Sequence, residues 1–303
     1  MKFTQLRDLI SIAERGGLRR AARHLGLAQP ALSKSIRELE HELGAPLFER
    51  TTTGMTLTPI GQAFLKRSTA IQLEVQRAFD EVQQLRGSAT GTVSVGMSTS
   101  SQIAMLPRVL RPFESRYPDV LLRISEGLFP VMENEVRQGA IDFYVGPPGE
   151  SEMPKEFSVE NLFDNRRVVA ARPGHSLAKA RSIKDLVNAR WVVTSVTAIN
   201  AAELNPFFDR YGLPQPKIVV EAHGAMAAIM AAASSDLLAM LPQQCLDFAE
   251  RASLLKLVPL DEVFEAPPVC IVSRTALPLT PAAQHLADLF RRAALNRNEP
   301  LHF

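Results

Sequence analysis

Four polar side chains between residues 29 and 37 carry groups that can recognise nucleic acid. Gln29, Ser33 and Arg37 stand four residues apart, and Lys34 follows Ser33. In a helix, this spacing brings the side chains close together on one side. A glutamine amide can pair with adenine, Lys and Arg can reach guanine or phosphate, and Ser is a versatile donor. A solvated helix face would have a similar composition, so the interpretation depends on the elements that position these residues.

Three short amphipathic helices are predicted around these four residues. Apolar residues recur every three or four positions in residues 3–14, 18–25 and 31–43, and glycines follow the first two helices. Pro30 stands where the first turn of the third helix tolerates proline. Two short helices joined by a tight turn form a helix-turn-helix, whose second helix enters the major groove. The preceding helix would present Arg19 outward.

Residues 46–58 predict a small β-hairpin. A hydrophobic anchor is followed by a polar tip and then by alternating apolar residues. Such a wing can lie along the DNA backbone or in the minor groove beside a recognition helix. Its candidate DNA contacts are Arg50, Thr51 and Thr52.

The charge is distributed unevenly along the chain. The first 37 residues hold 8 Lys and Arg against 2 Asp and Glu, and residues 1–90 hold 13 against 9, which leaves 21 against 23 for the remainder. Phosphate contacts supply most of the non-specific affinity for DNA, so a basic segment at one end is typical of a polyanion-binding module. A solvated charged surface would look similar.

Residues 59–86 predict one long helix. Apolar residues step by three and four from Ile60 to Leu85, and polar residues occupy the other faces. This near-heptad seam is typical of a coiled coil. We therefore expect the helix to pair with its copy, so that a two-fold dimer places two recognition helices in successive major grooves of an inverted-repeat site. Residues 87–91 then predict a hinge.

The remaining residues, 92–303, contain a repeat. Residues 92–148 and 191–243 follow the same order of strands and helices, and three matched pairs are 94, 97 and 94 residues apart: Tyr117 with Tyr211, Gly127 with Gly224, and Asp142 with Asp236. Alternating strands and helices predict parallel sheets with crossover helices. We expect two α/β lobes with a cleft between them, lobe I at about 92–162 with 269–303 and lobe II at about 163–268.

Two hydroxyl-rich turns stand at matching places in the repeat. Residues 98–101 and 194–197 each follow a strand and precede a helix. Free amides and the helix dipole at such a place suit a small organic anion. Neither turn contains Lys or Arg, so a neutral or amphipathic ligand stays open, and the hydroxyls also have an ordinary use as helix caps.

The N-terminal sequence resembles the LysR-type transcriptional regulators. The resemblance rests on LRRAARHLGLAQPALSKSIRELE at residues 18–40, LG at 43–44, PLFER at 46–50 and LTPIG at 57–61. It implies an α+β winged helix-turn-helix at 1–58, a dimerising linker helix at 59–86 and a periplasmic-binding-protein-like α/β effector domain. It further implies promoter DNA as a partner, a dimer of dimers, contact with RNA polymerase, and a small-molecule effector that changes the spacing of the paired DNA modules.

The resemblance also implies a set of effector contacts, centred on Ser100. The set is Ser98, Thr99, Ser100, Ser101, Glu126, Gly127, Phe143, Thr194, Ser195, Thr197 and His223. Two positions depart from the family pattern. Ala28 stands where the family usually has an N-capping Ser, and Thr53 stands where its wing often carries a basic residue, which puts the minor-groove contact in doubt.

Other function classes find little support in the sequence. The chain lacks GxSxG, Walker-type and HExxH motifs, and its two cysteines and six histidines show no metal-ligand spacing, so we expect no enzyme activity, metal or cofactor. No apolar run predicts a membrane span or signal peptide, so we expect a cytoplasmic protein. The alternatives are a solute-binding protein, which would need a signal peptide, and a lyase-like enzyme, which turnover by the C-terminal half would reveal.

Overall fold

The computed structural model describes residues 1–51, 54–149, 153–194 and 204–296. These residues form two compact units. The first unit comprises residues 1–86 with 137–140, and the second comprises the rest of the described chain.

The first unit contains three short helices, a hairpin and a long helix. These are α1 (Phe3–Arg15), α2 (Leu18–Leu25), α3 (Gln29–Leu43), β1 (Phe48–Thr51), β2 (Gly54–Leu57) and α4 (Pro59–Leu85). The predicted winged helix-turn-helix and long helix are confirmed. Glycines end the first three helices, because Gly16, Gly26 and Gly44 have φ of 67°, 67° and 68°, the left-handed conformation that side chains disfavour.

The core of the first unit comes from the apolar stripes that the sequence displays. The buried cluster is Leu9, Ile12, Ala21, Ala22, Leu32, Ile36, Leu39 and Leu47. The first turn of α4 packs closely on the base of the hairpin, where a Cβ on Gly61 would lie 2.0 Å from the Leu47 carbonyl oxygen. Further along α4, a row of apolar side chains is exposed in the single chain: Ile71, Phe79, Val82 and Leu85.

The second unit is built on one large sheet with helices on its faces. Its elements are β3 (Thr90–Met97), α5 (Thr99–Arg116), β4 (Asp119–Glu126), α6 (Phe129–Gln138), β5 (Phe143–Gly146), β6 (Phe157–Ala171), a 3₁₀ helix (Ile183–Leu186), β7 (Arg190–Thr194), α7 (Asn205–Arg210), β8 (Lys217–Ala222), α8 (Ala225–Ala233), β9 (Leu237–Pro242), α9 (Gln243–Arg251), β10 (Lys256–Leu257), β11 (Phe264–Arg274) and α10 (Pro281–Leu295).

The strand order is β4-β3-β5-β11-β6-β9-β7-β8, with β10 also pairing with β6. The repeated parts are parallel, as the sequence predicts: β3 pairs with β4 and β5, and β7 pairs with β8 and β9. The prediction of parallel sheets was wrong for the middle. There β11 pairs antiparallel with β5 and with β6, and β6 pairs antiparallel with β9.

The two antiparallel strands join the repeated halves into one hydrogen-bonded array. Strand β6 pairs through residues 157–163 with the end of β11, and through residues 165–167 with its beginning. Sequence reasoning did not predict β6, because its buried and exposed residues do not alternate in a simple way. The apolar residues on the two faces of each half form separate clusters, among them those around Phe143 and Trp191.

In the part of the chain that the structure describes, no helix combines the length and apolar composition needed to cross a bilayer. Within the same residues, no group of three His, Cys, Asp or Glu side chains is arranged to hold a metal ion.

Candidate functional site

Helix α3 separates a buried apolar side from an exposed polar one. Leu32, Ile36 and Leu39 are buried against the core of the first unit. The side chains predicted to contact DNA lie away from them: Gln29, Pro30, Lys34 and Arg37 are exposed, and Ser33 is half-buried. Arg19 on α2 is exposed too. The tertiary structure thus leaves these polar groups available to a partner.

The N-terminus of α3 lacks a side-chain cap. Ala28 occupies the N-cap position with φ −71° and ψ 133°, and its methyl group cannot accept a hydrogen bond. Pro30, which has no N–H, stands in the first turn. The exposed start of the helix therefore keeps its partial positive charge for solvent or for an anion such as a phosphate.

The ion pair on α3 is too loose to occupy the predicted contacts. Lys34 Nζ lies 3.8 Å from Glu38 Oε1, and the two side chains are 75% and 49% exposed. An exposed pair of this kind is worth at most about 1 kcal/mol. Lys34 can therefore exchange Glu38 for a stronger partner such as phosphate at little cost.

The buried carboxylate of Asp8 and the half-buried carboxylate of Glu40 fix α3 and the hairpin, and sequence reasoning missed both. Asp8 on α1 is 3% exposed, and its Oδ2 accepts a 2.6 Å hydrogen bond from the Ser35 hydroxyl in the middle of α3. Glu40 Oε1 accepts hydrogen bonds from the backbone N–H of Leu47 at 2.7 Å and of Phe48 at 3.2 Å. A charged residue interrupting an apolar stripe, as Asp8 does, is the signal that could have found the first.

The hairpin is described only in part. Arg50 and Thr51 belong to β1, which pairs antiparallel with β2. Thr52 and Thr53 lie outside the described residues. Whether the wing contacts DNA through Arg50, Thr51 and Thr52 stays a prediction.

In the second unit, the residues 98–101 form the start of a helix rather than a separate turn. Ser98 is the N-cap of α5, and its Oγ accepts a hydrogen bond from the Ser101 N–H. The same oxygen lies 3.1 Å from Ser100 Oγ and 2.8 Å from Ser101 Oγ. Ser98, Ser100 and Ser101 are all buried. The structure therefore brings three of the predicted effector contacts into one hydroxyl cluster, which we call the serine cluster.

Glu126 and Gly127 lie beside the serine cluster, at the end of β4. Thr99 Oγ1 donates a 2.5 Å hydrogen bond to Glu126 Oε1. The Gly127 N–H donates to the Met97 carbonyl at 3.0 Å. A carboxylate thus stands next to the N-terminus of α5, where the helix dipole favours negative charge.

The other predicted effector contacts are not all brought to this place. Phe143 is fully buried, with its ring centroid 6.1 Å from that of Phe290 in the apolar core. The prediction that Phe143 contacts an effector was therefore wrong, because its side chain packs inside the apolar core. Thr194 ends β7 and is half-buried, and His223 is exposed just beyond β8. Ser195 and Thr197 lie outside the described residues.

Tyr144 reaches the serine cluster and was not predicted to do so. Strand β5 turns Phe143 and Val145 to one face and Tyr144 to the other, where its ring packs 5.5 Å from that of Phe129. A Cβ on Gly146 would lie 2.3 Å from the Tyr144 hydroxyl oxygen and 2.9 Å from Ser98 Oγ, so the two oxygens meet over this glycine. The alternation within the strand was the available signal.

Two family profiles match the chain. Residues 3–62 match the bacterial regulatory helix-turn-helix protein of the lysR family. Residues 86–295 match the LysR substrate binding domain. Together they span both compact units.

Curated relatives match over most of the chain and are transcriptional regulators. HTH-type transcriptional regulator GbpR of Azospirillum brasilense is 24% identical over 297 residues, which cover 97% of this chain and 87% of the relative. HTH-type transcriptional regulator GalR of Pseudomonas putida is 27% identical over 289 residues, which cover 95% of this chain and 73% of the relative.

Solved structures share the fold. Full-length CbnR in complex with its target DNA has a TM-score of 0.71 at 22% identity, and the match covers 97% of this chain and 100% of that one. A full-length OxyR variant from Pseudomonas aeruginosa has a TM-score of 0.68 at 22% identity, with 96% and 95% covered.

Proposed function

Because the chain belongs to the LysR family of transcriptional regulators, we propose that α3 is its recognition helix and that Gln29, Ser33, Lys34 and Arg37 contact DNA in the major groove. Gln29 would pair with a base edge, and Lys34 and Arg37 would contact guanine or phosphate. Arg19 would add a phosphate contact from α2. The wing residues Arg50, Thr51 and Thr52 would lie along the backbone.

One observation carries this proposal. The polar side chains of α3 are exposed on the side opposite its buried stripe, directly after a helix start whose N-cap is Ala28. An uncapped helix N-terminus together with two cations forms a site for the phosphate backbone. A merely solvated helix would gain stability from a capping Ser, which this chain lacks.

We propose that the DNA-binding module is residues 1–58, that residues 59–86 pair two chains, and that residues 87–91 act as a hinge. The exposed apolar row on α4 supports the pairing, because Ile71, Phe79 and Val82 would be covered by a second copy. Two such dimers would associate into a tetramer. The two-fold axis would match an inverted-repeat promoter site.

We propose that a small organic anion bound between the lobes is the effector, with lobe I at about residues 92–162 and 269–303 and lobe II at about 163–268. Its contacts would come from the serine cluster, Thr99, Glu126 and Gly127, and from Thr194, Ser195, Thr197 and His223. Binding would change how the lobes close and respace the paired DNA modules, altering DNA bending and polymerase contact. On this proposal the protein acts in the cytoplasm, by binding and not by turnover.

DNA affinity of the full-length protein tests the recognition helix. The probe is a duplex from the region upstream of the chain's own coding region, titrated at several salt concentrations by fluorescence anisotropy. We expect the double variant Lys34→Ala/Arg37→Ala to lose roughly 100-fold in affinity, and its dependence of log K on log salt to flatten by about 2.

A charge-matched control separates contact from net charge. Lys179 and Arg251 are exposed in the second unit. The double variant Lys179→Ala/Arg251→Ala should keep the wild-type affinity and salt dependence. Equal losses in the two double variants, or no duplex affinity of the wild type at low salt, would contradict the proposal.

A further inference from the structure

The N-terminus of α5 offers hydrogen-bond donors to a ligand. In this helix of 18 residues, the Ser101 N–H is used by Ser98 Oγ, and the Gln102 N–H is used by the Ser98 carbonyl. The N–H groups of Thr99 and Ser100 have no acceptor among the described residues. A carboxylate is the ordinary partner of such free amides at the positive end of a helix dipole.

The Tyr144 hydroxyl is a further hydrogen-bond donor beside the serine cluster. Its side chain is fully buried, and its hydroxyl lies beside Ser98 Oγ over Gly146 and close to the Phe129 backbone, but makes no hydrogen bond of ordinary geometry within the described chain. Burial raises the pKa of Tyr144 above its usual value, so the hydroxyl keeps its proton. An unpaired buried hydroxyl is unfavourable, and an acceptor brought by a ligand would satisfy it.

Glu126 adds an acceptor at the same place. Its side chain is exposed and its Oε1 accepts from Thr99 Oγ1, which leaves the other carboxylate oxygen for a second donor. Burial raises the pKa of Cys245 on α9 to about 12; the charge of Glu126 raises it further, and the charge of Arg167 lowers it.

Donors and an acceptor side by side restrict the chemistry of the ligand. A simple carboxylate would satisfy the α5 amides but would be repelled by Glu126, and none of residues 98–101 is a Lys or Arg that could offset the repulsion. A simple cation would satisfy Glu126 but would face the positive end of α5. A molecule with a carboxylate and an adjacent donor satisfies both.

We propose that the site is specific for a small acid that carries a hydroxyl or an ammonium group next to its carboxylate, and this inference rests on the effector role proposed above. The carboxylate accepts from the N–H groups of Thr99 and Ser100 and from the Tyr144 hydroxyl. The adjacent hydroxyl or ammonium group donates to Glu126. Glu126 and Tyr144 are thus the residues that determine specificity.

Matched acids that differ only in the group next to the carboxylate test this assignment. The probes are propionate, L-lactate and L-alanine, with 3-phenylpropionate, L-phenyllactate and L-phenylalanine as a larger series. Dissociation constants are measured by calorimetry on the full-length protein at constant ionic strength. We expect the hydroxy or the amino acid of one series to bind at least roughly tenfold more tightly than its unsubstituted acid, as a hydrogen bond to a charged group allows. Tighter binding of the hydroxy acid would show that the donor to Glu126 is a hydroxyl, and tighter binding of the amino acid would show that it is an ammonium group.

Two variants locate the specificity. Glu126→Gln keeps an acceptor for Thr99 but removes the charge, and should reduce the preference for the substituted acid to less than about threefold. Tyr144→Phe should weaken every bound acid about tenfold without lowering the melting temperature of the free protein. Tyr211→Phe, at a residue that is 38% exposed, is the control and should change neither quantity.

Three outcomes would overturn the proposal: unsubstituted acids that bind as tightly as substituted ones, a Glu126→Gln variant that keeps the full preference, or a wild-type protein that binds none of the acids at millimolar concentration. If such a protein still binds the duplex, the recognition role of α3 stands and only the ligand class fails. Loss of duplex affinity in the wild type is a separate failure, that of the proposed DNA contacts.

Discussion

The N-termini of α3 and α5 are the same kind of structure used in opposite ways. Helix α3 begins at Ala28, without a side-chain cap and in an exposed position. Helix α5 begins at Ser98, whose hydroxyl caps Ser101 and belongs to a buried cluster. Two helix dipoles of similar size therefore face very different surroundings. An exposed, uncapped start suits a polyanion that approaches from outside, and a buried hydroxyl-lined start suits one small molecule.

The two helices are also held in place differently. Helix α3 is anchored at its middle by the Asp8–Ser35 hydrogen bond, so its first turn is not needed for attachment. Helix α5 is anchored at its start, because Ser98 N–H donates to the Val145 carbonyl on β5 and Ser98 Oγ caps the helix. A binding surface can be exposed when its helix is fixed elsewhere. A binding pocket can be built into the anchor itself.

Gly146→Ala should cause the largest loss of stability, by disturbing the start of α5. The new methyl group would overlap the Tyr144 hydroxyl, for which the separation is 2.3 Å, and would press on Ser98. We expect the free energy of unfolding of the second unit to fall by about 3 kcal/mol, as for overpacking of a core. Chemical denaturation followed by Trp191 fluorescence measures this loss. Unchanged stability would mean that Tyr144 and the serine cluster can move aside at little cost, so that the cluster is not a rigid site.

Asp8→Ala tests the anchor of α3. It removes the acceptor of the Ser35 hydroxyl and of the Arg7 guanidinium, and should lower the free energy of unfolding of the first unit by about 2 kcal/mol. Weaker duplex binding is expected as well, because α3 loses its support. Far-UV circular dichroism in denaturant measures the free energy of unfolding, and fluorescence anisotropy measures the duplex affinity. Ser35→Ala removes the donor of the same hydrogen bond and provides a second test. Wild-type stability and duplex affinity in both variants would contradict the anchoring role.

Ser98→Ala should act on α5 more mildly than Gly146→Ala. Loss of an N-cap costs about 1 kcal/mol, and the hydroxyls of Ser100 and Ser101 lose their shared partner. Thermal unfolding of the full-length protein checks the loss. Thr280→Ala, which removes the equivalent cap of α10, provides the comparison, since it should cost a similar amount without altering the binding of any acid.

Ala28→Ser should have the smallest effect on stability, and it should stabilise the protein where the other variants destabilise it. A serine at this N-cap should stabilise the first unit by about 0.5–1 kcal/mol, because its hydroxyl would accept a hydrogen bond from the Ala31 N–H, which now donates to the Ala28 carbonyl at 3.0 Å. If the uncapped start of α3 contacts phosphate, the gain in melting temperature will come with slightly weaker duplex binding. Tighter binding together with greater stability would show that the uncapped start has no part in recognition.

Sequence reasoning was most successful where a single element carries the information. The buried stripe of Leu32, Ile36 and Leu39 and the exposed Lys34 and Arg37 are set by one helical period, and the glycines after α1 and α2 mark where those two helices end. The repeat of strands and helices predicted the parallel parts of the large sheet in the same way. Local periodicity determines which side of an element is apolar.

Sequence reasoning failed where the answer depends on contacts between distant segments. Strand β6 was missed because its partners β9 and β11 come about 70 to 120 residues later, and a strand whose buried and exposed residues do not alternate has no local signature. Phe143 and Tyr144 are adjacent aromatic residues, yet one lies in the apolar core and the other beside a serine cluster. Only the pairing of β5 with β3 decides which face is which.

By itself the sequence determined most of the order of elements, the exposed polar side of α3 and the motifs of the family, because these depend on residues within a few turns of one another. The tertiary structure alone decided that Asp8 holds Ser35, that Tyr144 meets Ser98 over Gly146, and that Glu126 stands at the start of α5. Each of these contacts joins segments between 27 and 48 residues apart. Their free energy arises from burial and from hydrogen-bond geometry that no local pattern encodes.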